Sequence, residues 1–262
     1  MNKIDVIRLI FKQPTAHYRV GFTQQNLHRT LPLPPPSTII GMIHNLMECE
    51  NGGIIKGFDI AVCGHYESVF YQYQSFRKIF TKSKVKSAYK EAHPGVTMPN
   101  QVQMLNNVYL RIYLTFDDFD KDAPLFIEKI KNPSIPFFIG RREDLAVLEN
   151  IEIMPDTLKK SEFPQRLKLN YWAAEQEVQK YRLNGPVYLL GTYYRIEDKI
   201  RNFERRRFYY IEPQPLHPIK IGNRYKDPEG WTDEDDIDGE LKEIPVFFLG
   251  INRPLPTNRS KK

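Results

Sequence analysis

The stretch LPLPPPSTIIGMIHNLM (31–47) constrains the fold more than any other part of the chain. Pro32, Pro34, Pro35 and Pro36 each fix φ and push the preceding residue toward extended geometry, so the backbone must arrive stiff and non-helical. Immediately behind them Ile39, Ile40, Met42, Ile43, Leu46 and Met47 recur at helical spacing and make one apolar face. Ser37 or Thr38 is placed to cap that helix, with Pro36 pre-set for its first turn. A rigid lead-in to a row of backbone N–H groups suits a phosphate, and it equally suits the start of a core helix.

The surrounding pattern supplies partners for that helix. IDVIRLIFK (4–12) is β-branched and alternating and reads as a strand. The helix should end near Asn51-Gly52-Gly53. FDIAVCGHYESVFYQYQSF (58–76) reads as one long strand, or two joined by a bulge at Gly64. NVYLRIYLTF (107–116) is a strand, PLFIEKIKN (124–132) a short amphipathic helix, and SIPFFIGRRED (134–144) a short strand running into Gly140 and a helical turn. The order β-α-β-β-α-β is the ferredoxin-like pattern, so the chain is expected to be α+β. Further strands are expected at 187–196, 206–213, 217–222 and 244–250, an irregular β appendage with room for a second sheet. TDEDDIDGELKE (232–243) reads as a solvated loop and the terminal RSKK as a frayed tail.

Composition excludes several classes. At 41% hydrophobic and 27% charged residues the chain is an ordinary globular protein. The formal charge of +6 and pI near 9.1 mildly favour a polyanionic partner. Two cysteines, Cys49 and Cys63, allow at most one disulfide and no all-cysteine zinc site. The start MNKIDVIRLIFKQ is too short and charged for a signal peptide, and no apolar run reaches spanning length, so a reduced cytoplasm is the expected setting and no membrane is involved. No His-Glu-x-x-His, Cys-x-x-Cys or Walker-type loop is present, so neither a metal nor a nucleotide cofactor is expected. Between the second and third strands lies a long insertion. Arg77, Lys78, Lys82, Lys84, Lys86 and Lys90 punctuate it from 77 to 90 with no acidic residue, interleaved with Ile79, Phe80, Val85 and Tyr89. Cations mixed with a ring suit a nucleic-acid backbone, whereas the plain alternative is a solvated, mobile loop.

YRVGFTQQNLHRTLPLPPPSTIIGMIHNLM (18–47) resembles the opening pattern of the CRISPR-associated Cas-five family: Tyr/Phe-Arg-x-Pro/Gly-Phe-Thr, then Pro-rich chain into Ser/Thr-x-x-Gly-x-hydrophobic. PFFIGRREDLAVL (136–148) resembles its Pro-x-x-hydrophobic-Gly-Arg-Ser/Arg-Glu-Asp stretch, and DIAVCGHYES (59–68) is similar to what type I-B members carry. Leu31, where many members have an aromatic, and Gly21, where a proline is common, depart from the pattern. The resemblance covers roughly the first 150 residues. It implies a ferredoxin-like (RRM-like) RNA-binding domain at 1–150 with an inserted β-hairpin thumb at about 77–105, leaving 151–262 as a C-terminal β-rich region. It further implies a non-catalytic subunit of a type I Cascade complex that binds and caps the 5′ handle of the crRNA. Such a subunit touches the backbone and large subunits and serves target DNA recognition indirectly, with no small-molecule substrate.

On that footing Tyr18 is expected to stack on a base and Arg19 to meet a phosphate, while Ser37, Thr38 and the following N–H groups offer donors to the handle. Arg77, Lys78, Lys82, Lys84 and Lys86 belong to the thumb and should contact phosphate and sugar. Arg141 and Arg142, just after Gly140, complete the set. The structural alternatives are a core ring for Tyr18, capping for Ser37 and Thr38, and ion pairs to Glu143 or Asp144 for the two arginines. Gly41 suits close helix packing and His44 a structural histidine, while Trp172 and Trp231 suit core or interface positions. RNFERRRFYY (201–210) is a second basic patch for a protein neighbour, target DNA or guide RNA. One branch of the family, type I-C, cleaves precursor RNA without metal through a tyrosine, a lysine and a histidine. Lys90 and His93 with Tyr18 or Tyr89 are the nearest equivalents here, although the adjacent Lys-His pair of that branch is absent. A related type III subunit holding the guide's 5′ tag is a third reading.

Overall fold

The computed structural model describes residues 3–21, 23, 27–48, 57–77, 97–197, 200–221, 224–237 and 240–251. The chain opens with β1 (Lys3–Ala16) and three two-residue strands, β2 (Tyr18–Arg19), β3 (Leu27–His28) and β4 (Thr30–Leu31). The prolines then lead into α1 (Pro36–Leu46). β5 (Phe58–His65), β6 (Ser68–Arg77), β7 (Thr97–Phe116) and α2 (Phe119–Lys131) follow, and then β8 (Val147–Glu162), β9 (Asn170–Ala174) and α3 (Glu175–Tyr181). The chain continues through β10 (Val187–Glu197), β11 (Ile200–Ile211), β12 (Ile219–Ile221), β13 (Arg224–Lys226), β14 (Glu229–Ile237) and β15 (Glu240–Pro245).

One large sheet runs in the order β10-β11-β9-β5-β7-β1-β8-β14-β15, with β3 and β6 also paired to β7. Every pairing along this path is antiparallel. Because side chains alternate across a sheet, the two faces of β1 have different fates. Ile7, Leu9 and Phe11 face α1 and α2 and form one core with Ile39, Ile43, Phe126 and Ile130. Val6 faces the other way, where the C-terminal residues Leu167, Tyr171, Ile211 and Phe247 cover the sheet with Ala61, Cys63 and Tyr113. Each Val, Leu, Ile or Phe side chain among them contributes about 1.5–3 kcal/mol when fully buried.

Several boundaries differ from the sequence expectation. The 58–76 stretch is two strands, parted at Tyr66-Glu67 rather than bulged at Gly64, and both lie along the same strand β7. Gly64 instead permits close approach. A Cβ there would stand 2.2 Å from the Tyr109 carbonyl oxygen, so only glycine lets β5 come this near to β7. The 134–144 stretch is a turn closed by a single Phe138–Leu145 bridge; β8 is the strand paired to the outer edge of β1. β8 runs through residue 150; of the later strands β9, β10, β11, β14 and β15 extend the large sheet at its two ends, while β12 and β13 pair as a separate two-stranded sheet.

The acidic stretch 232–243 is not a solvated loop but the β14–β15 hairpin, held against β8. Its Asp233 is 1% exposed and lies beneath the sheet, accepting from Arg8 Nη1 at 2.7 Å, Tyr113 Oη at 2.7 Å and Arg111 Nη1 at 3.4 Å. Two arginines on the central strands thus make an acidic side chain the one this position needs, which local composition does not reveal. Arg8 also pairs with Glu152 at the rim. Cys63 is a buried free thiol, pushed up to about 12 by burial; Cys49 lies outside the described residues. Among the described residues no helix is long and apolar enough to cross a membrane.

Candidate nucleic-acid interface

The turn after Gly140 organises one side of the molecule. Gly140 has φ +113°, and an added Cβ would meet the Asp144 carboxylate at 2.9 Å and the His17 carbonyl at 3.0 Å, so the turn is closed to other residues. Asp144 is 1% exposed. Its carboxylate accepts from the backbone N–H groups of His17 at 3.2 Å and Arg141 at 2.8 Å, and from Arg141 Nε at 3.1 Å and Nη2 at 2.9 Å. Gln13 Nε2 donates to the carbonyls of Ile139 and Asp144, and Tyr18 Oη donates to Gln13 Oε1 at 2.6 Å. This corner of hydrogen bonds ties the end of β1 to the turn.

Two expected RNA contacts are therefore structural. Tyr18 is 1% exposed, its ring under Gly140 and its phenol pushed well above its usual pKa by burial, so no base can stack on it. Arg141 is clamped by Asp144, with Glu143 at 3.4 Å and further contacts to Gln74 and Met104 on the β6–β7 arm. Its guanidinium is used inside the fold. Arg142, its neighbour, is exposed and makes no ion pair among the described residues.

Ser37 and Thr38 sit inside α1 rather than capping it. Pro35 is the cap residue with no side-chain hydrogen bond, Pro36 opens the helix, and the Thr38 N–H turns back to the Pro35 carbonyl at 2.9 Å. Both line a groove of about 460 Å³ between α1, the segment 135–140 and the tip of the β10–β11 hairpin. The opposite wall carries Tyr194 and Phe203, ring centroids 5.5 Å apart, with the Arg201 guanidinium 4.9 Å from the Tyr194 centroid. Gly41 lines the same groove, and His44 is buried, stacked on Tyr193. Trp172 is buried and donates to the Pro34 carbonyl at 2.9 Å, fixing the proline run on the sheet. Trp231 lies under the Lys160 ammonium.

The β6–β7 arm stands beyond the Gly140 turn. Tyr71 and Tyr73, 58% and 70% exposed, share one face of β6. Arg77 ends β6, its backbone paired with Thr97. Lys78, Lys82, Lys84, Lys86, Lys90 and His93 lie outside the described residues. Arg19 is exposed on the small β2–β4 ladder. The structure thus brings Ser37, Thr38 and the Gly140 turn to one groove, sets Arg19 and the arm apart from it, and withdraws Tyr18 and Arg141. Sequence reasoning missed Tyr194, Arg201 and Phe203 as a groove wall. The basic run at 201–210 was visible, but its register against β10 was not. The unbroken VFYQYQ of β6, in which tyrosines alternate with glutamines, was the available signal for an exposed arm. Among the described residues no group of three His, Cys, Asp or Glu side chains is gathered.

His17 links this corner to the arm. It is 2% exposed with Nδ1 2.8 Å from the Gln103 carbonyl. Burial lowers its pKa below 6.5, the Gln103 carbonyl opposes this, and the nearby Arg141 charge adds to the lowering. A lowered pKa means the folded state binds the proton less well than the unfolded chain. The stabilisation is therefore complete above pH 6.5 and is lost as pH falls through the folded-state value. Urea unfolding at about pH 7.5 and about pH 5.5 should show a smaller acid loss for His17→Gln than for the unmodified chain. Coincident losses would remove His17 from the account.

Comparison with known proteins adds a family. Residues 6–211 match the family described as CRISPR-associated protein (Cas_Cas5). No curated protein matches. Among solved structures, a chain of a CRISPR RNA-guided surveillance complex superposes with TM-score 0.53 at 14% identity, over 80% of this chain and 90% of that one. A CRISPR protein from Archaeoglobus fulgidus matches at TM-score 0.36 and 12% identity, over 92% of this chain and 99% of that one. The first likeness extends to the fold alone.

Proposed function

The chain belongs to the CRISPR-associated Cas-five family, and from that premise we propose that it is a non-catalytic subunit of a type I Cascade particle, binding and capping the 5′ handle of the crRNA. The strand order β5-β7-β1-β8, with α1 after β1 and α2 after β7, supports a ferredoxin-like (RRM-like) core, and the β6–β7 arm, inserted between β5 and the core half of β7, supports a thumb at this point of the chain. The observation that carries handle binding is the groove. Ser37 and Thr38 at the start of α1 face a wall of two rings and a guanidinium, hydroxyl donors and a cation for phosphate with rings for a base. Arg142 and, set apart from the groove, Arg19, Tyr71 and Tyr73 offer the RNA further exposed cations and rings, and the sequence assigns Lys78, Lys82, Lys84 and Lys86 to the same partner. In the particle the subunit would adjoin the backbone and large subunits and serve target DNA recognition through the guide.

Cleavage by a Tyr-Lys-His trio finds no support at Tyr18, whose phenol is buried and engaged by Gln13. Binding of a handle-bearing RNA in EDTA, read by anisotropy and by gel, tests both readings. The expected result is an intact RNA, bound more tightly than the same RNA without its handle. The log–log salt slope should be about −0.7 for each phosphate neutralised. Tyr194→Ala with Arg201→Ala should weaken binding by about 10- to 100-fold, and Lys82→Ala with Lys84→Ala should weaken it and flatten the slope. Equal affinity for handle-less RNA would end the capping role; clean cleavage lost on His93→Ala would establish the nuclease instead.

A further inference from the structure

Beyond the groove wall, and on the same face of β11 as Arg201 and Phe203, the β10–β11 hairpin carries a further run of exposed side chains outside the groove. β10 is the terminal strand of the sheet, so one edge of its backbone faces no other described strand. Cross-strand pairing puts Leu189 opposite Arg207, Val187 opposite Tyr209 and Gly191 opposite Arg205. Residues directly opposite share a face, so this ladder interleaves aliphatic side chains with guanidiniums. Val187 is 54% and Leu189 61% exposed, and Ile196 further along the strand is 43% exposed. Arg205 and Arg207 are exposed with no ion pair among the described residues, whereas Arg206, on the opposite face, is held by Glu204 and the Gly250 carbonyl.

A long edge strand with exposed aliphatics is a pairing hazard unless a partner covers it. Aliphatic side chains offer no π-face to a base, so these features fit protein better than nucleic acid, and arginine with apolar contact is the composition of interface centres. Two uncompensated guanidiniums set the charge of what fits. We propose that this face, resting on the Cascade reading above, is where a neighbouring protein subunit docks. The docking element is an extended segment laid along the free edge of β10, placing apolar side chains on Val187 and Leu189 and carboxylates on Arg205 and Arg207.

The test co-expresses the full chain with the other protein subunits of its particle and a guide RNA, then measures incorporation by native mass spectrometry. Guide-RNA affinity of the isolated chain is measured alongside. Leu189→Asp with Arg205→Glu and Arg207→Glu should lower incorporation by about 30-fold or more while RNA affinity stays within about twofold. Arg205→Lys with Arg207→Lys keeps the charge and should incorporate within about threefold of the unmodified chain. Circular dichroism and thermal unfolding of each isolated variant report on folding. Unchanged incorporation of the charge-reversed variant overturns the proposal. So does a parallel fall in RNA affinity, which would make the ladder a nucleic-acid surface. If the unmodified chain neither binds guide RNA nor enters a particle, the Cascade reading fails and this surface with it, an outcome visible before any variant is made.

Discussion

Asp233→Ala is expected to lower the free energy of unfolding by about 3–5 kcal/mol, the largest effect of any single substitution considered. The carboxylate is 1% exposed, and its removal leaves Arg8 and Arg111, at 6% and 0% exposure, facing each other beneath the sheet without their shared anion. Glu152 compensates little, because its side chain is 41% exposed and screened by water. For a domain whose whole margin is about 5–15 kcal/mol, the variant should unfold at a much lower urea concentration. Replacing all three charges by Arg8→Met, Arg111→Leu and Asp233→Leu should recover most of the loss, since buried ion pairs and packed apolar groups of similar volume are close in stability. A loss under about 1 kcal/mol for Asp233→Ala would mean that water reaches the cluster and the burial argument is wrong.

The second large effect is Asp144→Asn. The amide keeps the shape but brings a donor against four donors already aimed at the carboxylate, from His17, the Arg141 backbone and two Arg141 nitrogens. A loss of about 2–4 kcal/mol is expected, together with weaker guide-RNA binding, because the Gly140 turn that lines the groove is held by this carboxylate. Arg142→Ala supplies the contrast. Exposed and without an ion pair among the described residues, it should leave stability within about 0.5 kcal/mol while weakening RNA binding by a few-fold. If Asp144→Asn binds RNA as tightly as the unmodified chain at a temperature where both are folded, the turn does not shape the interface.

The elements that local pattern specifies were legible. The proline run and the apolar stripe behind it predict α1, and alternation predicts β1 and the core half of β7. The family pattern quoted at 136–148 marks the Gly140 turn correctly, yet assigns Arg141 to RNA, because spacing alone cannot tell a guanidinium aimed outward from one folded back on a carboxylate three residues later. Tyr18 illustrates the same limit: a tyrosine on a polar loop reads as a free ring until Gln13 is known to receive its hydroxyl. The β14–β15 hairpin was illegible for a different reason. Its acidic composition opposes a buried strand, and only the distant Arg8 and Arg111 reverse that preference. Pairing between residues more than a hundred positions apart leaves no local trace.

β7 is one continuous ribbon from the core to the arm, with β5 along one half and β6 along the other. Since neighbouring residues on a strand point to opposite sides, adding or deleting a single residue in each strand of the arm would turn Tyr71 and Tyr73 to the wrong side. Changes in arm length that keep the tyrosines facing their present way are restricted to even steps. The reach of the arm is therefore quantised, in increments of about 7 Å per residue pair.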